Sequence, residues 1–442
     1  MRTTSLQDRV MILELSESGL SDSEIAERLG WCLATVRKWR RRGQRQGRGG
    51  LVSRMGRPPH GALSSFADRV RETLQTWRQQ HPRWGPQTLV VQADVTADLS
   101  GQRLPKRATV ARWLQQQGLT RRSQPHRELP VPAAGAAQAA HEAWELDAYG
   151  AIPVPAVGII SLLDLNDCFS HVKLLSFPCW VGELRVTRHP DTDDYLLALR
   201  LAFADWGLPS QLRVDRDSVY FDNGSKSPFP TRLHLFLLGL GIALVVGPPH
   251  QPRKRAITER SHQTWDQQVL AGQQFAHWDA LWQALRTRRD FMNQYLPCHG
   301  CDDLPPLVAH PQAAWPRRPY APDQEAALFD VERIYAYLSS GQWFRKASNV
   351  GVVTLGDLHY GLGQTWAKHE VQITFEPADR RLVFLDQDGQ RTERRPIKGI
   401  SYSELAGDLG RLLELHPYQL ALPLAWQEQR VLRLFETLSD TT

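Results

Sequence analysis

Three carboxylates fall at places where their chemistry could converge. Trp144-Glu145-Leu146-Asp147 sets Asp147 after an apolar position in a strand predicted over Ala143–Ala148. The apolar run Leu212–Val214 ends at Asp215. A Pro/basic loop, Pro248–Arg255, leads into a helical segment carrying Glu259. Acids on separate elements of one αβ domain can hold a pair of divalent cations, Mg2+ or Mn2+, because carboxylate oxygen is a hard ligand. Two cations suit phosphodiester chemistry: one activates the attacking water or 3′-hydroxyl, the other stabilises the leaving oxygen, and no covalent enzyme nucleophile is needed. Asp222, in Asp222-Asn223-Gly224, is the alternative middle acid. The strand end favours Asp215.

These acids need elements to position them. Val157–Leu165 and His171–Phe177 read as two further strands. Asp191–Trp206 is an amphipathic helix, Phe229–Leu240 a second amphipathic segment, and Ile242–Val246 a buried-strand run. Residues 258–296 are helical, with an arginine face of Arg286, Arg288 and Arg289. Asp164 and Asp167, near the second strand, are expected to make structural hydrogen bonds. His262 shares a helix face with Glu259 at i+3, either to orient water or to bond within the wall. Arg253, Lys254, Arg255 and Arg260 flank Glu259 as phosphate contacts or as a solvated basic loop.

Upstream, Ser21 with Glu24 has capping-box spacing and opens a short helix to Leu29. Gly30 gives a turn, and residues 32–42 form the next helix. A helix, a turn and a basic helix make the helix-turn-helix pattern, whose second helix enters the major groove. Thr35, Arg37, Lys38, Arg40, Arg41 and Arg42 are the candidate DNA contacts, while Val36 and Trp39 face inward. From Arg37 to His60 there are nine Arg/Lys and no Asp or Glu, the footprint of a polyanion-binding face. Residues 43–63 have linker composition. Residues 64–122 read as a second helical unit with a Trp84-Gly85-Pro86 break, and Arg107 and Arg112 are its candidate phosphate contacts.

The segments WELD (144–147), GLPSQLRVD (207–215), DNG (222–224) and ITERSHQTW (257–265), in this order and spacing, resemble the catalytic core of DDE transposases and integrases of the retroviral-integrase superfamily, of the bacterial insertion-sequence type. The resemblance covers roughly residues 140–300. It implies a multidomain α/β protein: a helix-turn-helix domain over 1–50, a second over 64–122, an RNase H-like core over 140–297, a small C-terminal β-barrel over 326–400 and a helical tail over 401–442. It implies Asp147, Asp215 and Glu259 as catalytic metal ligands with two Mg2+ or Mn2+ ions. The implied activity is end cleavage and 3′-hydroxyl strand transfer. The implied partners are double-stranded DNA, further copies of the chain in a synaptic oligomer, and an ATPase that selects target DNA. A decayed transposase that only binds or regulates DNA is the alternative. A plain transcription regulator and a hybrid-cutting nuclease are more distant rivals.

Composition agrees with this class. Net charge is +6, which suits a polyanionic partner. No run of eighteen apolar residues exists and the N-terminus lacks a signal-peptide stretch, so a cytoplasmic, nucleoid-associated protein without a membrane span is expected. Five scattered cysteines suit a reducing compartment. Cys298-His299-Gly300-Cys301, with His310 beyond, lacks the second ligand pair of a zinc finger. Residues 297–325, rich in proline, read as a surface linker. The runs Val350–Leu355, Glu370–Phe375 and Arg381–Leu385 alternate as strands, and the barrel's basic segments, Arg345-Lys346 and Arg391–Lys398, face either DNA or solvent.

Overall fold

The structure, a computed structural model, describes residues 4–52, 61–120, 137–183, 186–215, 218–222, 227–246, 256–386 and 390–407; for residue 186 and residues 256–260 it describes the backbone alone. The chain forms two compact units: Met1–Thr73 with Ala97–Arg121, and Leu74–Thr96 with Arg122–Thr442.

In the first unit, α1 (Leu6–Glu17) and α2 (Asp22–Leu29) each begin with a capping box, from Ser5 with Asp8 and from Ser21 with Glu24. Gly30, at φ 65°, ends α2 in the left-handed region that glycine adopts without strain. The basic helix α3 (Leu33–Gln46) follows. Ile12, Leu13, Ile25, Val36, Trp39 and Leu51 close a small core. The expected linker from residue 43 starts later than its composition suggests. Gly43 sits inside α3 because a Cβ there would lie 2.8 Å from Leu13 of α1. The turn Arg48–Leu51 then buries Leu51, whose carbonyl accepts from Arg9 at 3.0 Å. The next helices are α4 (Asp68–Gln80), α5 (Pro86–Asp94) and α6 (Arg107–Gln116).

The second unit is built on a mixed sheet. β1 (Ala143–Val154), β2 (Gly158–Asp167), β3 (Lys173–Glu183) and β4 (Val186–Thr187) form an antiparallel meander. α7 (Thr192–Trp206) crosses to β5 (Gln211–Val214), and α8 (Arg232–Gly239) to β6 (Ala243–Val246); both strands run parallel to β1. The sheet order is β4-β3-β2-β1-β5-β6. α9 (Ala256–Trp265), a π-helical turn (Asp266–Leu270) and α10 (Trp278–Gln294) complete it. Three strands, helix, strand, helix, strand, helix is the expected RNase H-like order.

The arginine face of α10 turns inward. Arg289 pairs with Asp205 at 2.7 Å, and Arg288 bonds Gln268 and Gln92 between the rings of Trp84 and Phe291. The Trp84-Gly85-Pro86 break packs here, with the Trp84 indole donating to the Gln268 carbonyl at 3.3 Å. Residues 297–325 also depart from a surface linker. They contain α11 (Pro306–Ala309) and lead into α12 (Glu325–Leu328), and Pro306, Leu307, Ala313, Tyr320 and Pro322 are buried. Proline breaks periodicity without preventing burial, because strap carbonyls still find donors: Leu208 N–H reaches the Arg318 carbonyl at 2.8 Å.

α13 (Val331–Ser339) precedes the C-terminal β region. β7 (Gln342–Lys346), β10 (Glu370–Glu376), β11 (Arg381–Asp386) and β12 (Thr392–Pro396) form an antiparallel sheet in the order β12-β11-β10-β7. The hairpin β8 (Val352–Leu355) and β9 (Leu358–Gly361) shares its core, with Tyr360 5.6 Å from Phe384. α14 (Tyr402–Ala406) opens the predicted helical tail, which beyond residue 407 lies outside the described residues. Among the described residues no helix is long and apolar enough to cross a membrane.

Candidate active site

Strand alternation divides the sheet into two unlike faces. Trp144, Leu146, Leu163 and Leu165 join the core that contains α7 and α8. The intervening residues face α9, which lies across β1 and β2. On that face Asp147 stands directly opposite Asp164 in the β1–β2 register. The β1–β5 register pairs Glu145 with Arg213. Asp147 and Asp215 each follow that pair by two residues, Asp147 within β1 and Asp215 just past the end of β5. Asp147 and Asp164 are thus the paired carboxylates of this face.

α9 is seated on this face by polar and aromatic contacts. The His262 ring stacks on Tyr149 at 4.4 Å, and its Nε2 lies 3.8 Å from Asp147 and 3.7 Å from Asp164. Burial, then the charge of Lys173, lowers the His262 pKa to about 4, so the ring is neutral at pH 7. Lys173 Nζ donates to Ser261 Oγ at 2.9 Å and Asn166 Oδ1 at 3.4 Å. Asn293 of α10 fixes Lys173 from behind, bonding both its N–H and its carbonyl at 2.9 and 2.8 Å. Asp164 is 0% exposed and neither of its oxygens has a hydrogen-bond partner among the described residues; burial raises its pKa to about 7. Asp167, by contrast, has the expected structural role, accepting from His141 N–H at 3.0 Å and from Ser170.

Each expected site residue has a distinct place. Asp147 is 18% exposed and Asp215 half-buried. Glu259 is on α9 by its backbone, one turn before His262, and its side chain is outside the described residues. Asp222 lies apart, on the loop between β5 and α8, paired with Arg345 of β7 at 3.1 Å. Arg253, Lys254 and Arg255, and the side chain of Arg260, lie outside the described residues. On α3, Arg37 and Arg40 reach back to Asp22 of α2 at 3.5 and 2.8 Å. Arg42 leans over Trp39, and Thr35 bonds Cys32 at 3.0 Å. Lys38 and Arg41 are exposed, as are Arg107 and Arg112 on α6. Sequence reasoning missed Lys173, Ser261, Tyr149 and Asn293. A signal was present in β2, where Asp164 and Asn166 interrupt an otherwise apolar strand at every second position.

Carboxylate oxygens are the donors that divalent cations prefer. Carboxylates crowded on one face repel one another, and hard cations compensate such oxygen clusters. Among the described residues, no group of three or more His, Cys, Asp or Glu is arranged to hold an ion.

Residues 3–52 match the homeodomain-like domain family. A simian T-cell lymphotropic virus intasome, solved with PP2A regulatory subunit B56 gamma, is 15% identical over 74% of this chain and 96% of its own, with a TM-score of 0.32. The HTLV-2 integrase catalytic core domain, solved with magnesium, is 12% identical over 39% of this chain and 98% of its own, with a TM-score of 0.29. The BIV integrase catalytic core domain is 14% identical over 39% and 95%, with a TM-score of 0.26. The chain therefore begins with a homeodomain-like domain, and its second unit is built on a mixed sheet with flanking helices.

Proposed function

We propose that this chain is a DNA transposase or integrase, a metal-dependent polynucleotidyl transferase that cuts the ends of a DNA element and joins each 3′-hydroxyl to target DNA. The observation that supports the reading is the parallel pairing of β1, which carries Asp147, with β5, which leads into Asp215, while α9 lies across β1 and β2. Asp147, Asp215 and Glu259 would hold a pair of Mg2+ or Mn2+ ions, which supply Lewis acidity to the attacking and leaving oxygens when bound. Asp222 is a structural acid in this reading, because its carboxylate is engaged by Arg345. Neutral His262 shapes the wall between the acids and adds no charge to it. α3 enters the major groove, with Lys38 and Arg41 exposed for DNA and Arg37 and Arg40 fixing the helix against α2. Two DNA ends must be held at once, so the active form contains at least two copies of the chain.

Strand transfer by the full chain, on duplex carrying the element's own flanking repeats with Mg2+ or Mn2+, tests this. Asp147→Asn, Asp215→Asn and Glu259→Gln abolish joining; Asp222→Asn retains it. Loss with Asp222→Asn and retention with Asp215→Asn would move the site to the Asp222 loop. Repeat binding without joining by the wild type would make the chain a DNA-binding protein.

A further inference from the structure

The motif Cys298-His299-Gly300-Cys301 plays no part in the proposed chemistry, yet its geometry is that of a reactive dithiol. Beyond α10 the chain reverses tightly. Cys298 pairs with Leu304 as an isolated bridge, and Cys301 N–H donates to the Cys298 carbonyl at 3.0 Å. A turn closed from i to i+3 brings its ends within about 7 Å, the Cα span that a disulfide bridges. The closed turn sets the two cysteines side by side.

The pair is asymmetric. Cys298 is half-buried and reaches solvent, whereas Cys301 is buried, with its Sγ 3.4 Å from the Ser170 carbonyl. The His171 ring lies flat against the turn; a Cβ on Gly300 would come within 2.6 Å of its Nε2. The neighbouring Cys301, and after it His171, hold the Cys298 thiol well below the ordinary thiol range. Cys298 in turn raises Cys301. Burial pushes Cys168 up to about 12 and raises Cys179 as well, so neither is a ready nucleophile. Cys32 is exposed, but its compact unit holds no second cysteine.

We propose that Cys298 and Cys301 are a redox-active dithiol that low-molecular-weight disulfides convert to an intrachain disulfide. The Cys298 thiolate attacks one sulfur of glutathione disulfide, forming a mixed disulfide and releasing one glutathione thiolate. Cys301 gives up its proton and attacks the Cys298 sulfur, releasing the second glutathione. Two protein thiols are oxidised, one glutathione disulfide is reduced, and excess thiol reverses both steps.

The test treats the folded full chain with glutathione disulfide, quenches in acid, alkylates in denaturant and maps the peptides by mass spectrometry. The expected product is a 298–301 peptide lighter by two hydrogens, with glutathione on Cys32 and unmodified Cys168 and Cys179. Cys301→Ser traps glutathione on Cys298, and Cys298→Ser leaves Cys301 unmodified. Loss of the Cys298 thiol keeps its rate between pH 8 and pH 6, while free cysteine slows by about two orders of magnitude. A stable glutathione adduct on wild-type Cys298, or a Cys298 rate that falls with pH like free cysteine, would overturn the proposal.

Discussion

The two faces of the central sheet are made by alternate residues of the same strands, yet they do opposite things. One carries Trp144, Leu146, Leu163 and Leu165 into a continuous apolar core. The other carries Asp147, Asp164 and Asn166 beneath a helix held by Lys173, Ser261 and a stacked histidine. The first face stabilises the fold by removing carbon from water. The second gives up part of that stabilisation, since Asp164, the Asn166 amide nitrogen, the Ser176 hydroxyl and His262 Nε2 are buried without hydrogen-bond partners among the described residues. Buried polar groups left in this way concentrate where a site is needed rather than where a core is built.

Substitutions can break this contrast in order of size. Asp147→Asn or Asp215→Asn should lower joining by about a thousandfold or more, roughly 4 kcal/mol of barrier, while thermal unfolding stays near wild type. Trp144→Ala, on the apolar face, should do the reverse, costing about 3–5 kcal/mol of stability by denaturant titration.

Asp164→Asn should stabilise the protein in metal-free buffer. The folded protein holds the Asp164 proton more tightly than the unfolded chain does, so its penalty is absent below about pH 4 and full above about pH 7. A gain of a few kcal/mol at pH 8, vanishing near pH 3.5, is the expected result of urea melts at the two pH values. Equal gains at both would show that the carboxyl is not strained by burial.

Lys173→Met should loosen α9 without unfolding the sheet. Loss of a charge-assisted bond worth about 2 kcal/mol corresponds to roughly thirtyfold faster amide exchange in α9, read by mass spectrometry. The smallest effect belongs to Asp222→Asn, which weakens a peripheral ion pair and should cost about 1 kcal/mol of stability.

Much of this was legible along the chain. The acid at the end of Leu212–Val214, the α2 capping box and the alternation of strands and helices are local signals, and the structure has them. What escaped was set by pairing between distant segments. Nothing in the neighbourhood of Asp164 announces that it will stand opposite Asp147, and the Lys173 stem gives no hint of Ser261. Arg288 and Arg289 read only as part of an arginine face, because Gln92 and Asp205, the partners that draw them inward, come from far upstream. Proline content hid the burial of residues 297–325, although Leu307 and Tyr320 were visible there as apolar anchors.

That strap decides where the protein can be cut. Arg200 of α7 is 2% exposed and makes a two-pronged pair with Glu325, at 2.8 and 2.6 Å, which Tyr320 and Tyr402 complete. A fragment ending at residue 297, where the motifs of the core run out, would strand that guanidinium in an apolar interior at roughly 3–5 kcal/mol. The shortest piece that keeps the whole Arg200–Glu325 cluster bonded runs past Tyr402. Anyone dissecting the core from its flanks should therefore place the downstream boundary beyond α14, and expect a protease that nicks the strap to release insoluble protein rather than a working core.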